Sequence, residues 1–524
     1  MRTIWYFALL PICLFMPVAA QTPLARHPPS QSPQHTEELL GEIDDDALNP
    51  GRWQASLDGR RLAWRTRRDK KWVMIVDGQP GSSFDEVSIP KFSLDGQRLA
   101  YAAKSEKKWR MVVDGQAGPE FDELAEGLYQ GPRSPLVTPR PYAMTPLVWF
   151  SPNSKHAAYL ARRGKNWFIV INGRESVPYE DITAPFFSSD GEHIAFPAKQ
   201  AGMWRMIVDG KDQALTFDRI FRGVASFGEH RFPRFSQSGQ RLGYLGRRKK
   251  DWFAVLEGKE IPVGRGPGFA WYDPPQCVSF SDDLRRVAYV QKHPEGKGLA
   301  VFVDGQPGAS SDWPSCPVFS PDGKQFAYVA ERGKVQFVVV DGQAGPPFKS
   351  ILTFDGIPAI SFSPDSRRIA YLAWQQTDKE EKGKVIEVIS GAMREVAEKE
   401  KMQMLVHPPT FSPDSQHLAY VLTNESKPFF SEQKLNLYLD GKPFGRGAEV
   451  YYVSRPIFSS DSRHLALVVR TGDKGNSVMV GGQEGKVYSS VFPSTLVFSS
   501  PNSVFYVALQ EKRLYRVTQT IGEP

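Results

Sequence analysis

Hydrophobic and polar positions alternate along most of this chain in short runs separated by tight polar turns. A run ending in Phe-Ser turns through a few small polar residues and resumes with an apolar-Ala-aromatic triplet. Clear copies are Phe319-Ser320-Pro321-Asp322-Gly323…Phe326-Ala327-Tyr328, Phe362-Ser363-Pro364-Asp365-Ser366…Ile369-Ala370-Tyr371 and Phe411-Ser412-Pro413-Asp414-Ser415…Leu418-Ala419-Tyr420. Eleven copies can be counted, with the motif Ser at 56, 93, 151, 188, 236, 281, 320, 363, 412, 459 and 499. The mean spacing of about 44 residues falls in the range of propeller and solenoid arrays.

Period-two alternation predicts strands rather than helices. In residues 88–124, Ile89 to Ser93 reads as a first strand and Arg98 to Lys104 as a second. Trp109 to Val113 reads as a third and Pro119 to Leu124 as a fourth. Asp114-Gly115 between the third and fourth is a hairpin signal, because Gly accepts the positive φ of a primed turn. The same dipeptide recurs at 77, 209, 304, 341 and 440, with Asn172-Gly173 and Glu257-Gly258 in phase. The Asp of the Ser-Pro-Asp-Gly turn reads as a turn former, since calcium loops place Asp and Asn more densely.

Four antiparallel strands repeated without helical segments describe an all-β fold, a β-propeller of about eleven four-stranded blades. One blade cannot bury both faces, so neighbours must stack. The Ala of the triplet is expected to let sheets approach, and the aromatic to fill the space between them.

The F-S-P-D-G/S…A-Y repeat resembles the TolB-type, WD-repeat-like propeller repeat of exported bacterial proteins, over about residues 52 to 517. That resemblance implies an envelope role in which a propeller docks a protein or peptide. It is specific for fold and weak for function. TolB itself also has an N-terminal α/β domain, for which residues 21–50 are too short. The end copies depart from the pattern: Ser56 follows Ala55, and the last unit carries Val504-Phe505-Tyr506 in place of the Ala triplet.

Residues 1–20 read as a signal peptide cleaved after Ala20, with Arg2, an apolar core from Ile4 to Met16, and Val18-Ala19-Ala20. A periplasmic or secreted protein follows, with no transmembrane segment in the mature chain. Residues 21–50 are expected to form a flexible tether, Gln/Pro/Ser/His-rich and then acidic from Glu37 to Asp46. Loss of Arg2 lowers the formal charge from +7 to about +6, which favours anionic partners.

Eleven blades in one ring would surround an unusually wide channel, so two tandem propellers are expected. The first five units carry a Trp at the start of strand three (Trp72, Trp109, Trp167, Trp204, Trp252), and a Gly/Pro-rich stretch follows at Gly264 to Pro275. The expected division is 51–263 with five blades and 276–520 with six. Six plus five, or one ring closed by both termini, are the alternatives.

The loop between strands two and three is basic in four of the first five units. It supplies Arg65, Arg67, Arg68, Lys70 and Lys71; Lys107 and Lys108; Arg162, Arg163 and Lys165; and Arg247, Arg248, Lys249 and Lys250. Equivalent loops of a propeller share one face, so these cations would form an arc that attracts an acidic protein or an anionic envelope component. Nucleic acid is not expected in that compartment. The competing reading is that Lys and Arg keep exposed hairpins soluble. Two long loops, Glu126 to Pro146 with Tyr129 and Tyr142, and Gly264 to Gln276 with Trp271 and Tyr272, are expected on the same face. Their aromatics are interface anchors or lids on the blades.

Cys277 and Cys316 each precede the motif Ser by four residues. They would lie on adjacent innermost strands, as two free buried thiols or, if their Cα atoms approach within about 7 Å, as a disulfide. Hydrolase, zinc and redox motifs are absent, and no cofactor is implied. His156, His193, His417 and His464 share one repeat phase and are expected to point outward on separate blades. The reading is therefore a non-enzymatic binding or scaffold protein, against a hydrolase or lyase site in the channel, or a sensor of a glycan or small ligand. Oligomeric state is not readable from the sequence.

Overall fold

The computed structural model describes residues 34–42, 53–127, 145–146, 148–221, 223–224, 231–265, 277–295, 298–354, 357–377, 383–399, 405–423, 435–444, 450–471 and 475–521. Residues 1–33, with the stretch expected to be a signal peptide, and residues 43–52 lie outside them. Apart from one 3-10 turn at Pro493–Thr495, every regular element among the described residues is a strand. The strands form eleven four-stranded antiparallel meanders, numbered here as blades 1 to 11, in a propeller arrangement.

Blade 2 shows the plan. Its first strand comes in two pieces, Glu86–Val87 and Lys91–Phe92, both paired with the second, Leu99–Ser105. Lys108–Val113 and Gln116–Ala117 complete it. The fourth strand thus begins earlier than expected. Glu123–Leu124, read above as its end, pairs instead with Arg162 and Ala161 and opens blade 3. The break in the first strand carries Pro90, and Pro185, Pro233, Pro317 and Pro456 occupy the same phase. A strand with one unpaired edge tolerates proline. In blades 3, 5 and 8 the break widens into a small hairpin: Glu126–Gly127 with Thr145–Pro146, Gly223–Val224 with Arg231–Phe232, and Thr353–Phe354 with Ile357–Pro358. The long loop containing Tyr129 and Tyr142 therefore leaves from within a first strand instead of joining two blades.

The repeat motif builds its own turn. Ser93 Oγ donates to Asp95 Oδ1 at 2.6 Å and accepts the Arg98 N–H at 3.0 Å, while Asp95 Oδ1 takes the Gln97 N–H. Ten of the eleven copies make the Ser-to-residue-plus-two contact. The last does not, and Ser499 donates to the Ser503 carbonyl. At the Asp-Gly hairpin, Asp114 and Gly115 have φ of 53° and 79°. Asp114 also accepts the Leu99 N–H and pairs with Arg98, so its carboxylate ties the hairpin to the start of strand two.

The triplet packs between blades, as expected. Ala100, Ala158, Ala327 and Ala370 are fully buried, with Tyr101, Tyr159, Tyr328 and Tyr371 beside them. Each Tyr hydroxyl lies over a glycine on, or directly after, the fourth strand of the preceding blade. A Cβ on Gly118 would stand 3.2 Å from Tyr159 Oη.

Shared cores join every consecutive pair of blades. The expected cut between 263 and 276 is bridged: Trp252 and Val263 of blade 5 pack in one cluster with Val278 and Phe280 of blade 6. Blade 1 in turn packs on blade 11 through Leu62, Trp64, Val507 and Leu514, and Arg516 Nε reaches the Asp58 carbonyl at 3.1 Å. The blades thus form one circuit, the alternative to two tandem rings. Part of the expected tether takes part in it. Gln34–Glu42 is a strand that pairs with Arg513–Thr520 and completes blade 11. It takes the outer-strand position of that blade.

Candidate functional site: the hairpin-tip face

The hairpins between second and third strands project on one face, and in blades 1, 2, 3, 4, 5 and 7 they end at the same register. Arg68 faces Lys71, Ser105 faces Lys108, Arg163 faces Asn166, Gln200 faces Met203, Arg248 faces Asp251 and Arg332 faces Val335, each across a two-residue turn. The tips therefore reach a common height.

Acidic residues at the entry to blades 2, 3, 5 and 7 hold the tips of those blades. Asp85 Oδ2 accepts the Glu106 N–H at 2.6 Å, Asp122 Oδ2 that of Gly164 at 2.7 Å, Asp218 Oδ2 that of Lys249 at 2.5 Å, and Asp312 Oδ2 that of Gly333 at 2.8 Å. Two of these carboxylates also bind a cation from the preceding blade: Lys71 pairs with Asp85, and Lys108 with Asp122 at 2.5 Å. The Lys71 ammonium holds Asp85 below its usual pKa, and the Gly164 N–H does the same for Asp122. These two pairs link neighbouring blades.

The arginines expected at the site are also engaged with neighbours. Arg65 donates to the Val87 carbonyl at 2.6 Å and lies over Trp72, and Arg67 lies over the same ring. Arg162 pairs with Glu123 and lies over Trp167. Arg163 makes a two-pronged contact with Glu175 at 3.0 Å and stacks on Phe121. Arg248 does likewise with Glu260 and Phe217, and Arg247 lies over Trp252. Most Trp residues of the first five units are thus platforms for cations. Arg68 is exposed beside them.

The lysines at the tips behave differently. Lys70, Lys107, Lys165, Lys249 and Lys250 are exposed, and their ammonium groups have no ion-pair partner among the described residues. Lys334, at the tip of blade 7, joins them and was not anticipated; its Arg332-Gly333-Lys334 turn has the phase of Arg163-Gly164-Lys165. Tyr129, Tyr142, Trp271 and Tyr272 lie outside the described residues.

Cys277 and Cys316 are bonded to each other, with Cα atoms 5.0 Å apart, which corrects the expectation of free thiols. Both lie where the first strands of blades 6 and 7 begin or break, so they meet at equal height. The histidines serve the turns: His193 pairs with Asp209 at 2.8 Å and His417 with Asp440 at 2.9 Å. His417 is buried at 4% exposure, not outward as expected. No group of three or more potential metal ligands exists among the described residues, and no helix there is long and apolar enough to cross a membrane.

No family model and no curated protein matches the chain. Among solved structures it is similar to the tricorn protease, at 12% identity and a TM-score of 0.26, over 88% of this chain and 55% of that one. It is also similar to TolB from Acinetobacter baumannii, at 15% identity and 0.21, over 54% of this chain and 80% of that one. Hydrazine synthase of Kuenenia stuttgartiensis matches at 13% and 0.25, over 58% and 99%. The chain spans about half the length of the tricorn protease chain. Likenesses of this degree transfer no function.

Proposed function

We propose that this chain is an exported, non-enzymatic propeller scaffold of the bacterial cell envelope that holds an anionic component or acidic protein on its hairpin-tip face. The observation that carries the reading is the row of exposed lysine ammonium groups with no ion-pair partner among the described residues, on a face where Lys71, Lys108, Arg162 and Arg163 are paired. Export is supported by the signal-peptide pattern of residues 1–20 and by the Cys277–Cys316 bond, since disulfides persist in oxidising compartments. A binding role is favoured over catalysis because His193 and His417 are each committed to a turn carboxylate.

In-cell crosslinking of the tagged mature protein tests the reading. Partners recovered with wild type are compared with those of a variant carrying Arg67, Arg68, Lys249 and Lys250 as Ser. An envelope component captured by wild type and lost in the variant is the expected result. Capture of nothing specific by either protein sinks the proposal and directs attention to glycan and small-ligand screening by thermal shift.

A further inference from the structure

We infer that the partner of the hairpin-tip face is the surface of an anionic lipid membrane, held by charge without insertion; this rests on the reading of that face given above. Three observations favour a membrane over a folded acidic protein. The first is the division of labour between the two kinds of cation. Guanidinium groups recognise carboxylates by shape, through a planar fork, whereas an ammonium on a flexible stem is a point charge without directional demand. Here Arg162, Arg163 and Arg248 are spent inside the molecule on carboxylates and rings. What remains outward is mostly lysine: Lys70, Lys107, Lys165, Lys249, Lys250 and Lys334, with Arg68 beside them. That set suits a diffuse array of headgroups.

The second is height. Across the five consecutive blades 1 to 5 the hairpins end at one register on two-residue turns, so the tips of that arc can meet a flat surface together, whereas the hairpins of blades 6, 8, 9 and 10 are longer. The third is that blades 1 to 5 present no apolar wedge at their hairpin tips among the described residues. The exposed Trp313 and Val335 stand at the tip of blade 7, outside that arc, so the arc has nothing to bury among acyl chains as an amphipathic anchor does. Asp69 and Glu106 share the tips of blades 1 and 2 and offset part of the charge, which leaves blades 3 and 5 as the strongest contacts of the arc.

The test is co-sedimentation of the full mature protein with vesicles of phosphatidylglycerol and phosphatidylethanolamine, or of phosphatidylcholine alone. It is run in about 50 and 300 mM salt, which shortens the screening length from roughly 14 to 6 Å. Binding to the anionic vesicles that falls at the higher salt is expected, with none to the neutral ones. Each charge removed near an anionic surface costs about fivefold in partitioning. Changing Lys70, Lys107, Lys165, Lys249 and Lys250 to Ser should therefore lower binding at least about a hundredfold. Changing the same five to Arg should preserve it. The side chains are exposed, so a thermal melt confirms that both variants stay folded. Equal binding to neutral vesicles, no binding to anionic ones at low salt, or loss of binding in the Arg variant overturns the inference. If vesicles are ignored while crosslinking still returns a protein lost in its own variant, the lipid assignment falls and the binding face stands.

Discussion

Arg394→Ala should destabilise blades 8 and 9, and a second change should undo the damage. On the third strand of blade 8, Glu387 faces Leu372, at the register where blade 2 has Met111 opposite Ala102. Where blade 2 places Gly118 beside Met111, blade 8 places Arg394 beside Glu387. Two charges thus stand where the other blade has an apolar side chain and no side chain. Glu387 is 1% exposed, pairs with Arg394, and accepts a hydrogen bond from Tyr420 Oη of blade 9 at 3.0 Å. Burial pushes the Tyr420 hydroxyl well above its ordinary pKa, so it stays a donor. Removing one partner of a buried pair costs about 3–5 kcal/mol. With 45% of Arg394 reachable by water, the lower end applies, about 3 kcal/mol. An unfolding entropy of about 2.1 cal/mol/K per residue over roughly 470 residues converts this to a fall of about 3 °C in Tm. Glu387→Met with Arg394→Gly recreates the blade 2 arrangement and should melt within about 1 °C of wild type or above it. Differential scanning calorimetry decides. A double variant as unstable as Arg394→Ala, or a single variant within about 1 °C of wild type, would refute the account.

Replacing Cys277 and Cys316 by Ser frees a loop between positions 39 apart. The chain-entropy relation gives about 4 kcal/mol, seen as a fall of roughly 4 °C in Tm under non-reducing conditions and none beyond it when reductant is added. Gly96→Ala places a Cβ 2.9 Å from Ser56 Cβ, on the neighbouring blade, whereas Gly78→Ala meets nothing within 4 Å. Both sit at positive φ, so the excess cost at Gly96, expected at about 1–3 kcal/mol by urea titration, isolates the contact between blades. Hydrogen bonds from Lys486 and Tyr488 depress the pKa of Glu37 in the folded chain. Its contribution is therefore present above the unfolded carboxylate range, near 4.3, and is lost as pH falls through the lower folded value. Protection factors for 34–42 in hydrogen exchange should drop between pH 6 and pH 3 in wild type. They should be low at both in Glu37→Gln, and an unchanged wild type would contradict the clamp.

The repeat was legible because its turns are written locally: Ser93, Asp95 and the Arg98 N–H close a loop of six residues with no outside help. What stayed hidden depends on residues far apart. Gln34–Glu42 shows no alternation because it is an outer strand with most of its side chains in water. The partners of Lys71 and Lys108 stayed hidden because Asp85 and Asp122 come from the entry to the next blade, 14 residues on, not from the hairpin itself. The identical four-residue offset of Cys277 and Cys316 from their motif serines was the available sign of equal height, and only the spacing between blades turns it into a bond. Lys334 could have been found by the phase of its turn alone.

The pairing of Gln34–Glu42 with Arg513–Thr520 has a consequence for how the chain reaches this state. The first strand must wait for the last to be made before it has a partner. Until then ten blades stand as an arc with two unfinished apolar ends, Trp64 at one and Val468 at the other. Joining the ends of so long a segment costs little more entropy than joining a shorter one, because the cost grows only as the logarithm of length. The contact is nonetheless among the most distant in sequence that the chain can form, and such contacts are slow to form. A molecule entering its compartment N-terminus first would thus spend the whole of its passage as an open arc, and its final act of folding would be to zip its oldest strand onto its newest.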